Sequence, residues 1–209
     1  MAKLLYIESS PRKKRSSSIQ LSHEFLNEYR KLHPKDEVVV LDLWQKELPS
    51  FDGDVIDGKY AILHGQKFSE AQAQAWKAVE NVIEEFKSAD KYVISLPMWN
   101  FGIPYKLKHY FDVITQPGYT FSFSPQTGYQ GLVTNKKIVV VYSRGGAYGA
   151  ETGGQNLDFQ KPYMETILGF IGFKDIQSIL IEPTLDTPEK KEHSIAQATK
   201  QVHKLASHF

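Results

Sequence analysis

Residues 96–112 read Leu96-Pro97-Met98-Trp99-Asn100-Phe101-Gly102-Ile103-Pro104-Tyr105-Lys106-Leu107-Lys108-His109-Tyr110-Phe111-Asp112. Trp99 and Phe101 bracket an amide, Asn100, and Gly102 follows, a set that suits a flat, partly polar ligand laid against backbone. Pro97 and Pro104 each remove a backbone donor and stiffen the ends of the run. A second candidate is Ser9-Ser10-Pro11-Arg12-Lys13-Lys14-Arg15-Ser16-Ser17-Ser18, where hydroxyls surround a basic run. At a helix N-terminus such a loop suits an anion, because unpaired N–H groups and the positive end of the dipole face it. A third is Ser143-Arg144-Gly145-Gly146-Ala147-Tyr148-Gly149. Its adjacent glycines permit positive φ and a close approach of backbone to ligand. Each run alone also reads blandly: a strand-to-helix turn with core aromatics, a solvated loop with serine caps, a Gly-Gly turn. Their positions must decide.

All three follow apolar runs of strand length. Lys3–Glu8 precedes the serine loop, Tyr92–Leu96 precedes the aromatic-amide loop, and Lys137–Tyr142 precedes the Gly-Gly turn. Glu37–Asp42 and Asp175–Ile181 read as two further strands. Helical periodicity follows each strand. Ile19, Leu21, Phe25, Leu26 and Tyr29 mark one helix, and Ala75, Val79, Val82, Ile83 and Phe86 mark another, with Trp76 beside that face as a core residue. Pro104 sits well for a helix start, with Leu107, Tyr110, Phe111 and Ile114 following. Residues 163–172 form a helix stopped by Gly172, and Ile195, Ala198, Val202 and Leu205 mark the last one. Trp44–Ser69 lacks clean periodicity and reads as an excursion with short helical turns. Residues 118–133 read as a β-hairpin excursion, with Phe121 and Phe123 on one face, covering a ligand, a partner subunit or their own core. Residues 149–161 are expected to be mobile or shaped by a substrate. The pattern predicts an α/β fold in one domain, 1–209, with a five-stranded parallel sheet covered on both faces. Five strands favour the flavodoxin-like order 2-1-3-4-5, which brings the loops after strands one, three and four to one edge. Convergence there points to a cofactor with a phosphate tail and a flat ring. FMN fits better than a dinucleotide, because the first loop lacks G-x-G-x-x-G.

Composition removes other classes. The chain has 209 residues, 41% hydrophobic and 23% charged, with formal net charge +1. That charge gives no field for nucleic acid or an anionic membrane. The absence of cysteine excludes disulfides, thiol nucleophiles and thiolate metal sites. The seven histidines form no zinc-like cluster, so no metal is expected. No G-x-S-x-G elbow supports a hydrolase. The first apolar run is too short for a signal peptide and none approaches a membrane span, so a cytoplasmic location is expected.

Pro97–Pro104 together with Leu107-Lys108-His109-Tyr110-Phe111-Asp112 resembles the signature of the FMN-dependent NADH-azoreductases, also called FMN-dependent NADH:quinone oxidoreductases. Ser143–Gly146, the serines of the first loop with Gln20-Leu21, Gly131-Leu132-Val133 and Leu168–Gly172 resemble further motifs of that family, so the similarity spans nearly the whole chain. It implies FMN phosphate binding by Ser10, Ser16, Ser17 and Ser18. It implies ring contacts from Met98, Trp99, Asn100 and Phe101 on one side and from Ser143, Arg144, Gly145 and Gly146 on the other. It also implies a homodimer with a site at the interface, and two-electron reduction of quinones and azo compounds. Trp99, Phe121 and Tyr148 are the expected substrate contacts, and the flavin itself carries the chemistry, with no catalytic side chain required. Two departures stand out. Trp99 replaces a tyrosine common in the family, and the run Arg12–Arg15 is more basic than usual, which leaves NADPH open beside NADH. A flavin-binding electron carrier is the rival reading; true flavodoxins are typically shorter and acidic, whereas this chain is neutral and carries long excursions.

Overall fold

The computed structural model describes residues 1–67 and 69–209, and the side chains of all of these except Asp54, Ile62, Leu63 and Ala71. Its centre is a parallel sheet of β1 (Lys3–Glu8), β2 (Glu37–Asp42), β3 (Lys91–Pro97), β6 (Lys137–Ser143) and β7 (Asp175–Ile181). The spatial order is β2-β1-β3-β6-β7, with every neighbouring pair parallel. Counting these five alone, that is the expected order 2-1-3-4-5. The remaining strands, β4 (Phe121–Ser124) and β5 (Gly128–Gly131), form the expected antiparallel hairpin apart from the sheet.

The sheet is covered on both sides because its strands are apolar in both phases of the period-two alternation. Leu5 and Ile7 of β1 face one cluster with Ile94, Val140 and Tyr142. Against that face pack α3 (Glu70–Lys87), α4 (Tyr105–Ile114) and α5 (Lys161–Ile171). Leu4 and Tyr6, one residue out of phase, face the other cluster with Val93, Val139 and Val141, covered by α1 (Ser17–Leu32) and α6 (Pro188–Ala206). Trp76 lies in the first core, as its place beside the apolar stripe predicts. α3 starts cleanly because Ser69 and Gln72 form a reciprocal capping box.

The excursion after β2 differs from expectation. It contains a three-turn helix, α2 (Gly53–Leu63), rather than short turns alone. Gly58 within it disfavours helix by roughly 1 kcal/mol relative to alanine, which hides the element in the sequence. Burial of Val55 and Ala61 overrides that local preference. Residues 149–161 carry two 3-10 turns, Ala150–Thr152 and Gln155–Leu157. Phe159 N–H there donates to Phe101 O at 3.0 Å.

The hairpin and the end of α5 meet backbone to backbone at two glycines. A Cβ on Gly131 would lie 2.4 Å from Gly172 Cα, and Gly172 itself has φ 121°. Only glycine satisfies both demands. Val133 N–H donates to Ile171 O at 2.8 Å across the same contact. Phe121 and Tyr129 then pack on Phe170, with ring centroids 4.8 and 5.5 Å away.

Candidate cofactor-binding site

Parallel strands deliver their carboxyl ends, and the loops after them, to one edge. There, a recess of about 100 Å³ is lined by Ser10, Arg12, Arg15, Ser16 and Ser17 from the first loop, and by Pro97 and Ser143 from the ends of β3 and β6. Thr184, Leu185 and Lys191 complete it from the segment after β7. The first loop thus meets one residue from the end of each of β3 and β6 and the segment after β7, while Ser18, Met98, Trp99, Asn100, Phe101, Arg144, Gly145 and Gly146 are not in the lining.

The described lining is rich in hydroxyls and cations and includes no carboxylate. Ser10 and Ser18 are fully buried and Ser16 nearly so. Ser16 is the N-cap of α1, yet its hydroxyl makes no capping bond; Oγ lies 3.1 Å from Ser18 Oγ instead. The first-turn N–H groups of α1 are thus left for another acceptor. Arg12 and Arg15 are exposed and pair with no carboxylate among the described residues. Lys13 is different. It adopts φ 49° and turns back onto Glu8 Oε1 at 2.9 Å and onto Asp42. Burial disfavours its ammonium, but the Asp42 and Glu8 carboxylates outweigh that and hold its pKa above the ordinary lysine value.

The loop after β3 presents backbone. Trp99 and Gly102 exchange N–H···O bonds of 3.0 and 2.9 Å. Between them Asn100 and Phe101 have φ of 47° and 69°. Two central residues at positive φ make a tight reversal of the type I′ kind, and the N–H groups of both have no partner among the described residues. Met98 N–H donates to Ser143 O at 2.8 Å, locking this loop to the end of β6. Trp99 meets Trp44 and Tyr105 at centroid distances of 5.9 and 6.4 Å. Trp44 also donates from its indole nitrogen to Ser9 O at 2.9 Å, so one side chain ties the serine loop to the aromatic loop.

At the Gly-Gly turn the positive φ that the sequence suggests is absent. Neither Gly145 nor Gly146 has positive φ. A Cβ on Gly145 would stand 3.0 Å from Cδ1 of Leu185, an exposed side chain that is free to swing aside, so sterics there do not demand glycine. Arg144 is also placed unexpectedly. Its side chain is 2% exposed and lies within 2.9 Å of Asp158 Oδ2 and 3.1 Å of Glu182 Oε2, with Gln160 Oε1 accepting from Nε at 3.0 Å. The rings of Tyr142 and Tyr148 flank the guanidinium at 5.6 and 5.7 Å. Burial, with Glu165 adding to it, pushes the Tyr142 phenol well up. Phe121 lies elsewhere. With Phe123, Tyr60, Thr115, Tyr129 and Phe170 it lines a separate aromatic recess of about 540 Å³, sharing no residue with the first.

Sequence reasoning missed Trp44, Thr184, Leu185 and Lys191. The last three follow the carboxyl end of β7, so the strand-end rule that selected the other loops had pointed to them. Trp44 follows β2 by the same rule, but the irregular run after it obscured the signal.

A family model described as having a flavodoxin-like fold matches residues 2–206. An FMN-dependent NADH:quinone oxidoreductase of Desulfotalea psychrophila is 51% identical over 99% of this chain and 97% of its own length. The chain belongs to this family. A second relative of the same description, from Nitratidesulfovibrio vulgaris, is 49% identical over the full length of both. Among solved structures, an azoreductase from Bacillus anthracis aligns over the full length of both chains with TM-score 0.89 at 31% identity. An FMN-dependent NADH-azoreductase from the same species, solved with FMN, aligns with TM-score 0.85 at 27% identity, over 99% of this chain and all of its own. Family membership and fold, both expected from the motifs, are borne out. The motif pieces also gain physical causes: Gly131 and Gly172 of two matching segments are the pair that touch.

The residues fit FMN. An uncapped helix start among buried hydroxyls suits the phosphate, and the N–H groups of Gly145 and Gly146 have no partner among the described residues. Among those residues no helix is long and apolar enough to cross a membrane.

Proposed function

We propose that this chain, as one domain over 1–209, is an FMN-dependent oxidoreductase. It passes two electrons from NADH, or NADPH, to quinones and to aromatic azo compounds, the two substrates taking turns in a ping-pong order. The observation that carries this is the meeting of Ser10, Ser16, Ser17, Pro97 and Ser143 around one anion recess, beside a loop of positive-φ backbone and aromatics. The relatives' names supply the donor and acceptor classes.

FMN, when bound, supplies the redox chemistry. The chain's own residues bind and orient. Ser10, Ser16, Ser17 and Ser18 with the start of α1 hold the phosphate. Met98, Trp99, Asn100 and Phe101 form one wall of the ring site, and the Ser143–Gly146 turn the other. Free N–H groups of Gly145 and Gly146 are fixed dipoles suited to negative charge on a ring edge. Arg144 acts as a positioning residue, since its side chain is spent on Asp158 and Glu182. Tyr148 and Trp99 are the nearest substrate contacts. Phe121 and Phe123 face a second copy of the chain in a homodimer whose site lies at the interface. The cell compartment in this reading is the cytoplasm.

The test is anaerobic. Protein reconstituted with FMN is mixed with NADH or, separately, NADPH while flavin absorbance is followed. The expected result is rapid bleaching by NADH, reversed by a benzoquinone. Bound flavin that neither nucleotide bleaches would favour the electron-carrier reading. A monomer by light scattering would remove the interface site alone.

A further inference from the structure

Five basic residues, Arg12, Lys13, Arg15, Lys190 and Lys191, stand at or beside the recess in two sequence neighbourhoods, and in each neighbourhood one is neutralised while the lining residues are left unpaired among the described residues. After β1, Lys13 is taken by Glu8 and Asp42, while Arg15 lines the recess. At the start of α6, Lys190 pairs with Asp186 Oδ2 at 3.0 Å. Lys191, the next residue, lines the recess instead, and no carboxylate pairs with it among the described residues. Thr184 arrives on the same segment, but its hydroxyl already donates to Arg144 O at 2.8 Å. Thr184 therefore shapes the wall, and Lys191 is the group that charges it.

A phosphate monoester carries roughly −1.5 to −2 charges at neutral pH. The serine hydroxyls and helix N–H groups offer only partial charge. Arg12 and Arg15 lie on the side of the first loop; Lys191 reaches the same small recess from the C-terminal helix. We infer that Lys191 is a specificity-determining residue that completes the phosphate site and selects a phosphorylated flavin over an unphosphorylated one. This rests on the recess being the phosphate site, as proposed above.

Binding separates the two claims without any turnover. Full-length protein stripped of flavin is titrated with FMN and with riboflavin, following flavin fluorescence at low and high salt. Wild type is expected to bind FMN much more tightly than riboflavin. Lys191→Ala is expected to weaken FMN about tenfold, the scale of one charge-assisted contact, to leave riboflavin unchanged, and to flatten the salt dependence of FMN binding. Lys191→Arg should restore most of the FMN affinity, and Lys190→Ala should change neither ligand. A Lys191→Ala protein that keeps the wild-type ratio of FMN to riboflavin affinity, or loses both affinities in parallel, overturns the role of Lys191 while leaving the phosphate site standing. Wild-type protein that binds both flavins equally overturns the phosphate site and this inference with it.

Discussion

Arg144 and Arg15 occupy the same edge of one sheet and are used in opposite ways. Arg144, at the end of β6, is buried between two carboxylates, a glutamine and two tyrosine rings. Arg15, in the loop after β1, is exposed and unpaired among the described residues, and it lines the recess at the strand ends. A cation enclosed by acids has its charge satisfied within the fold, so it holds chain segments together. A cation without acids keeps its charge for whatever enters. Residue type and position at the strand ends are shared; the acids within reach decide.

The sharpest way to break the contrast is Arg144→Ala. It strands Asp158 and Glu182 without their cation, and removing one partner of a buried charge cluster costs about 3–5 kcal/mol. Urea unfolding measures this. A loss below about 1 kcal/mol would mean that Arg144 is not a structural cation, and the contrast would collapse.

Lys13 sits between the extremes, half-exposed but paired with Glu8 and Asp42. Lys13→Ala is expected to cost on the order of 1 kcal/mol. The sign of its pH dependence follows from the raised pKa. The folded state holds the proton more tightly than the unfolded, so the contribution is complete below the unfolded value of about 10.4 and is lost as pH climbs through the folded one. The stability gap between wild type and Lys13→Ala should therefore narrow in alkaline urea titrations. A gap that widens there would contradict the pairing.

The smallest effect on stability belongs to Arg12→Ala with Arg15→Ala, within about 0.5 kcal/mol, as for exposed unpaired side chains. The same double variant should weaken FMN binding by at least about tenfold, the scale of one charge-assisted contact. Isothermal titration at low salt reads it. Unchanged FMN affinity would place these arginines with the ordinary solvated surface.

The legible part of this fold was the part governed by repetition. The strands announce themselves as apolar runs, and the flavodoxin-like order they favour sends the serine, aromatic-amide and Gly-Gly runs to one edge. What stayed hidden depended on partners distant in sequence. Nothing near Arg144 reveals that Asp158 and Glu182 enclose it. Lys13 and Arg15 look alike in a basic run until Glu8 and Asp42 are placed. The glycines of the Gly145-Gly146 turn suggest positive φ and a close approach to a ligand, and neither has positive φ. The helix α2 was masked by Gly58 and is held by burial of Val55 and Ala61, which no local propensity records.

The glycine contact between Gly131 and Gly172 has a mechanical consequence. Just ahead of its first turn, α5 is anchored by Gln160 and Asp158 to Arg144 at the end of β6. Just past its last turn, Gly172 meets Gly131 of the hairpin backbone to backbone, beside the packing of Phe170 on Phe121 and Tyr129. The helix is therefore held at both ends, and a methyl group at position 131 would sit 2.4 Å from Gly172 Cα, so Gly131→Ala is expected to part the hairpin from the helix.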